Sequence, residues 1–191
     1  MASQADMFAD GRSRGRLISI AGIAIICLAA GAALLPIGDG LKAKLVIGAL
    51  LAVAGLVEIG AGMLRRDARP FAIAAGCVTL AAGIIFIART TDQFFPNVVL
   101  VIAWLIVRSV ILFAASRRAG GSVRTWTMFS AGMDLGLGIL LATGLSIATI
   151  VINLFGPTPS IIASFAWVLA ASFVVNGLML LEVAGCERSS G

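Results

Sequence analysis

Histidine is absent from this sequence, and charged residues are scarce. The chain has 191 residues, no histidine, and charged side chains at only 12% of its positions. Without histidine, neither the histidine-containing dyads of acyl transfer nor histidine-containing zinc sites can form. No glycine-rich phosphate loop followed by lysine is present either. We therefore expect no catalytic residue, no metal site and no cofactor, and we interpret the chain as a non-enzyme.

Cysteine and aspartate are also too sparse to form a metal site, a redox site or an aspartyl protease site. Cys27, Cys77 and Cys186 share no metal-ligand or redox spacing, and a thiol inside an apolar run usually behaves as a small hydrophobic side chain. A membrane aspartyl protease needs two aspartates within membrane spans, and only Asp134 lies in one. The lack of a cysteine motif and of a second aspartate in a span supports the non-enzymatic interpretation.

Long apolar runs are abundant. Hydrophobic residues make up 60% of the chain, whereas soluble domains have about a quarter of their residues charged. A membrane-spanning helix needs about 20 apolar residues, so the sequence predicts an all-α integral membrane protein with six transmembrane helices. In the fifth run we expect a break near Gly144 and an interfacial segment up to Phe155. The runs are 17–35, 43–64, 70–88, 95–116, 126–146 and 160–184.

Arginine and lysine are distributed unequally between the two sides of the predicted bundle. One side carries the tails 1–16 and 186–191. We predict that this side is cytoplasmic, because short loops rich in basic residues favour the cytoplasmic side of the membrane. The opposite side has only Lys42, Lys44 and Arg89. The pattern predicts that both termini are cytoplasmic. The basic residues of that side are Arg12, Arg14, Arg16, Arg65, Arg66, Arg69, Arg117, Arg118, Arg124 and Arg188.

The runs also form an internal repeat. Each even-numbered run ends in a charged pair at the same distance from its middle, and each odd-numbered run has a small-residue centre followed by aliphatic residues. Two runs per unit give all units the same orientation, so we predict three parallel-oriented helical hairpins. The first run also resembles a signal peptide, but its length and its place in the repeat favour an uncleaved span. The hairpins cover about 17–65, 70–118 and 125–185.

Three segments carry a resemblance to a known family. They are GDGLKAKLVIGALLAVAGLVEIGAGM at 38–63, GMDLGLGILL at 132–141 and FVVNGLMLLE at 173–182. In these segments the chain resembles the HdeD-type acid-resistance proteins, over roughly residues 17–185. The resemblance implies a six-span protein of the bacterial inner membrane that is built from a repeated hairpin and acts in acid tolerance at the cell envelope. It implies no catalytic residue.

Glycines recur at regular spacing within the apolar runs. A seven-residue or four-residue step keeps small residues on one helix face, and in membranes such stripes let two backbones approach closely. We expect these glycines to serve helix packing, with approach of a ligand as the alternative. They are Gly48, Gly55 and Gly62 in the second run, Gly76 and Gly83 in the third, and Gly132 and Gly136 in the fifth.

Glu58, Arg108 and Asp134 form a candidate polar cluster. They lie seven to ten residues from the arginines at the ends of their runs, which places all three about 10–15 Å into the cytoplasmic half of the membrane. Charges at this depth are costly and normally find partners, and Trp104, one turn before Arg108, permits a cation–π contact. The cluster is either a structural ion pair, which we favour, or a site for a proton or cation. We expect Glu182 to reach the interface and Asn176 to hydrogen-bond a neighbouring helix.

These features support three hypotheses about function. The first is a non-enzymatic role in acid or envelope stress tolerance, as the resemblance implies. The second is a small transporter or proton-conducting protein that uses the cluster. The third is an accessory or assembly subunit. The expected partners are the lipid bilayer and either further copies of this chain or other membrane proteins, and we expect no nucleic acid.

Overall fold

The computed structural model is all-helical across the residues it describes. It describes the backbone of residues 4–34, 40–65, 68–88, 94–155 and 159–189, and side chains mainly within 13–31, 45–65, 68–88, 98–144 and 167–188. In this part of the chain there are six helices and no strand. The helices are α1 (Gln4–Leu34), α2 (Gly40–Leu64), α3 (Arg69–Ala88), α4 (Phe94–Ser116), α5 (Gly121–Phe155) and α6 (Pro159–Ser189).

Five of these helices are long and apolar enough to cross a membrane. Their apolar stretches are 19 to 24 residues long, and a helix of about 20 residues spans the hydrocarbon core. In α6 the described apolar stretch, Ala170–Cys186, is shorter than these five. Large side chains such as Ile20, Leu56 and Val110 are about 60% exposed on the outer surface of the bundle, as expected for side chains that face lipid.

The helices form a closed ring. Each helix packs against its neighbours in chain order, and α1 closes the ring against α6. The contacts are extensive between α2 and α3, between α4 and α5, and between α1 and α6, and sparser at the other three seams. The close seams therefore alternate with looser ones around the ring.

The seam between α2 and α3 is built on the predicted glycines. A Cβ atom at Gly55 would lie 2.7 Å from the Cα atom of Leu80, and one at Gly76 would lie 2.8 Å from the backbone nitrogen of Ile59. Such distances leave no room for a side chain, so the absence of a Cβ lets the two backbones touch. Gly48 and Gly83 have similarly close neighbours across the same seam, and a Cβ atom at Gly62 would lie 3.0 Å from the backbone nitrogen of Ile73.

A second glycine seam, which the sequence reasoning missed, joins α1 to α6. Gly22 lies against the backbone oxygen of Gly177, and a Cβ atom at either position would approach the other's carbonyl oxygen within 2.9 Å. Gly15 lies against Ala184 and Arg188 in the same way. The signal was present in the sequence, since Gly15, Gly22 and the buried Ala29 are seven residues apart.

Within the described part of the bundle, Gly132 and Gly136 do not pack against another helix. Both glycines are exposed, and a Cβ atom at either position would meet no described atom within 4 Å. The reason is that α5 turns a different face to α4, on which Gly138 lies near Leu105 and Ile106. Spacing alone therefore identifies a stripe of small residues but not the side of the helix that packs.

Two helices are longer than the sequence predicted. α1 begins at Gln4, within the predicted tail, and α5 continues to Phe155 without the break that we expected near Gly144. No proline interrupts either segment, and a single glycine lowers helix stability by only about 1 kcal/mol. At 35 residues, α5 is about 50 Å long and exceeds the hydrocarbon core.

The basic segments lie together at one end of the bundle. Arg14, Arg65 and Arg69 line one cleft between α1, α2 and α3. The guanidinium of Arg118 lies 4.7 Å from the centre of the Phe71 ring, and Arg188 donates to the Ser19 hydroxyl at 3.1 Å. The arginines of α1, α2, α3 and α6 and of the α4–α5 turn therefore share this end.

Candidate functional site

Arg108 lies at the centre of the bundle between two carboxylates. Its Nη1 atom is 2.5 Å from Oδ2 of Asp134, and its Nη2 atom is 2.9 Å from Oε1 of Glu58. The three side chains are 1%, 1% and 6% exposed. The predicted cluster is thus assembled, and Arg108 pairs with both acids at once.

Neutral polar side chains extend this cluster into a larger network. We name it the Arg108 network, and its members come from α2 to α6, so that five of the six helices contribute. All of them are buried. The members are Glu58, Thr79, Trp104, Arg108, Asp134, Ser172 and Asn176.

Glu58 is held from three sides. Its Oε1 atom accepts hydrogen bonds from Arg108 and from the Asn176 amide, and its Oε2 atom lies 3.2 Å from the Thr79 hydroxyl. Thr79 also lies 3.1 Å from the carbonyl oxygen of Ala75 and accepts from the Trp104 indole at 3.2 Å. Thr79 faces Glu58 because the glycine seam brings α3 against α2 at this height.

Asp134 is held by a second hydroxyl. Ser172 donates to its Oδ1 atom at 2.6 Å, while its Oδ2 atom accepts from Arg108. Ser172 and Asn176 are four residues apart and so lie on one face of α6, from which they reach Asp134 and Glu58 respectively. Helix α6 therefore bridges the two acids that flank Arg108.

Trp104 packs against the guanidinium as well as donating to Thr79. The Arg108 Cζ atom lies 5.8 Å from the centre of the Trp104 ring, within the range of a cation–π contact. The Phe173 ring meets Trp104 edge to face at 6.2 Å. The cation–π contact predicted from the four-residue spacing is confirmed, and aromatic rings cover one side of the guanidinium.

The formal charge of the network is negative by one when all three groups are ionised. Two carboxylates surround one guanidinium, and the hydroxyl, indole and amide donors are neutral. A buried charge requires both pairing and hydrogen bonding to be tolerated. The network supplies these to each carboxylate, and it could also take up one proton.

A small cavity lies beside the network on the side of the basic residues. Its volume is about 20 Å³, and its polar lining comes from Glu58, Arg65, Arg108 and Asn176. A cavity of about 10–15 Å³ or more can hold one water molecule. Within the described part of the chain, Arg108 Nε and the hydroxyl of the buried Ser130 have no hydrogen-bond partner. This cavity has room for a single water.

Sequence reasoning found the charged members of the network but missed two hydroxyls. Thr79 and Ser172 are uncharged, and serine and threonine are common in membrane helices, so neither residue was distinctive. Thr79 lies ten residues after Arg69, the same depth as Asp134, and this could have identified it. Asn176 contacts another helix as predicted, and Glu182 lies outside the network, where it accepts from Ser122.

The network has no feature of a metal centre. Among the residues described, no group of three histidine, cysteine or acidic side chains lies close enough to hold a metal ion. Comparison with protein-family models, curated proteins and solved structures gives no match to this chain. The resemblance to the HdeD-type proteins therefore stays a hypothesis.

Proposed function

We propose that this chain is a non-enzymatic protein of the bacterial inner membrane, of the HdeD type, that acts in acid or envelope stress tolerance. In this proposal the Arg108 network is a structural lock. It holds five helices together in a membrane in which apolar contacts alone discriminate poorly between helix arrangements.

The proposed topology has six spans and cytoplasmic termini. It is supported by the ten basic residues predicted for one side of the membrane and by the contacts that bring Arg14, Arg65, Arg69, Arg118 and Arg188 to one end of the bundle. Basic residues in short loops favour the cytoplasmic side. With an even number of spans, both termini lie on that side.

The proposed repeat consists of three parallel-oriented hairpins arranged in a ring. The alternation of close and loose seams supports it, because each close seam joins the second helix of one hairpin to the first helix of the next. α2 meets α3, α4 meets α5, and α6 meets α1 in this way.

The observation that carries the structural role is that each of the three buried charges contacts an opposite charge. Arg108 contacts both acids within 2.9 Å, and each acid accepts at least one further hydrogen bond. A conducting site must exchange its partners with a mobile ion or with water. Here every charge has protein partners, and the adjoining cavity of about 20 Å³ has room for about one water.

An acid-survival assay tests the proposed function. A strain that lacks this gene should survive an acid challenge less well than its parent, and the wild-type gene should restore survival. A variant of a lipid-facing residue, Val110→Leu, serves as the control for expression and should restore survival equally. If the deletion strain survives as well as its parent, the proposed role is wrong.

Two observations favour the other hypotheses. Two acids around one arginine leave room for a bound proton, which favours a proton-conducting protein. Proton flux in vesicles would distinguish that function from a structural lock. The exposed Gly132 and Gly136 on the outer face of α5 favour an accessory subunit that packs against another helix. Crosslinking from a cysteine placed at Gly136 would detect such a neighbour.

A further inference from the structure

The cleft between α1, α2 and α3 is a concave feature that the Arg108 network does not explain. It encloses about 620 Å³, which is within the usual range of ligand pockets. It is lined by Ser13, Arg14, Leu17, Met63, Leu64, Arg65 and Arg69.

The polar wall of the cleft is built from arginines of separate helical segments. Arg14 comes from α1, Arg65 directly follows α2 and Arg69 begins α3, and among the described lining residues there is no acidic side chain. The positive-inside rule explains why arginines lie on this side of the membrane. It does not explain why three of them converge on one concave site.

The other wall of the cleft is apolar and open to lipid. Leu17 and Met63 are 51% and 54% exposed, and both belong to apolar helices of membrane-spanning length. The seam between α1 and α2 is one of the looser seams of the ring. The cleft therefore presents guanidinium groups at the membrane surface beside apolar side chains that continue towards the hydrocarbon.

We propose that this cleft binds the phosphate headgroup of an anionic phospholipid, with one acyl chain lying along Leu17 and Met63. Guanidinium groups match phosphate oxygens in geometry and charge, and basic pockets between transmembrane helices bind anionic headgroups. An arginine has five N–H donors, so each can keep a protein partner and still bind the lipid. A free phosphate has the same headgroup chemistry but would make no use of the apolar wall.

Lipid binding can be measured by native mass spectrometry of the full chain in mild detergent, titrated with dioleoyl phosphatidylglycerol or dioleoyl phosphatidylcholine. The test variant is Arg14→Gln with Arg69→Gln, which leaves the buried Arg65 in place. The matched control is Arg117→Gln with Arg124→Gln, since these two exposed arginines lie outside the cleft and carry the same charge. Each cleft arginine should contribute about fivefold to the affinity, so the test variant should bind phosphatidylglycerol about 25-fold more weakly.

The proposal predicts that the wild-type chain prefers phosphatidylglycerol and that only the cleft variant loses this preference. Equal losses in the two variants would mean that general surface charge attracts the lipid, and the site would be rejected. Equal binding of both lipids by the wild-type chain would also reject it. Displacement of the lipid by millimolar inorganic phosphate would identify a free anion as the ligand and overturn the lipid assignment. The inference requires only membrane insertion, so it can fail or hold independently of the role in stress tolerance.

Discussion

Replacing Arg108 by leucine should be more damaging than replacing either of its acidic partners. The substitution leaves Glu58 and Asp134 buried without a cation, and it removes the N–H donors that both carboxylates use. Removing Asp134 instead leaves one guanidinium paired with one carboxylate, which is a balanced arrangement. The effect of Arg108→Leu should therefore exceed that of Asp134→Leu.

The expected magnitude follows from the burial of the group. Breaking a buried ion pair from one side typically costs about 3–5 kcal/mol, and Arg108 is only 1% exposed with both partners in contact. For a chain of this length, 1 kcal/mol corresponds to a change of about 2–4 °C in the unfolding midpoint. Arg108→Leu should thus lower the midpoint by about 6–20 °C.

Thermal unfolding in detergent, followed by circular dichroism, measures this effect. The same substitution at the exposed Arg117, at the end of the same helix, should change stability by less than about 0.5 kcal/mol. Adding Asp134→Leu to Arg108→Leu should recover part of the loss, because the double variant no longer buries that carboxylate without its cation. If the two losses simply add, the residues are not coupled, and the structural lock is refuted.

Three further predictions concern packing, hydrogen bonding and topology. Gly55→Ala should destabilise the protein by about 1–3 kcal/mol because its Cβ would strike the Leu80 backbone. Gly60→Ala, with no described atom within 4 Å of its Cβ, should instead stabilise the protein by up to about 1 kcal/mol through helix propensity. Equal effects in thermal unfolding would reject the glycine seam. Thr79→Val should lower the free energy of unfolding by about 1–3 kcal/mol, because Glu58 and Trp104 each lose a hydrogen-bond partner. Thr143→Val, at an exposed position, is the control and should give almost no change in the same measurement. The topology can be tested with single cysteines placed in a chain that lacks its natural ones. Arg12→Cys and Gly120→Cys should resist an impermeant thiol reagent applied to intact cells, while Thr91→Cys should react. Labelling at residue 12 or 120 would invalidate the proposed topology.

Much of the fold was predictable because lipid imposes a simple rule on sequence. Each apolar run of about 20 residues must become a helix, since backbone groups in hydrocarbon have to be satisfied internally. Except for residue 35, which lies outside the described residues, the six predicted runs lie within the six helices. The lengths of α1 and α5 were less predictable, because nothing in the sequence of either segment forces a helix to end at Arg16 or at Gly144.

The charged part of the network was predictable for an energetic reason. Arg108, Glu58 and Asp134 are expensive at membrane depth and lie at similar heights, so their pairing follows without knowledge of the fold. The contributions of Thr79 and Ser172 depend on the order in which the helices pack, and one sequence does not reveal this order. The basic cleft depends on it as well, because only the ring of helices brings Arg14 beside Arg65 and Arg69.

Proton flux through the reconstituted protein tests the structural lock most directly. The purified chain is reconstituted into vesicles that contain a trapped pH-sensitive dye. A pH gradient is then imposed across the vesicle membrane, with valinomycin and potassium to clamp the membrane potential. The structural lock predicts that the wild-type chain dissipates the gradient no faster than empty vesicles do, because Arg108 is held by both Glu58 and Asp134. A flux that scales with the amount of protein and disappears in Glu58→Gln would contradict it and identify the Arg108 network as a proton path.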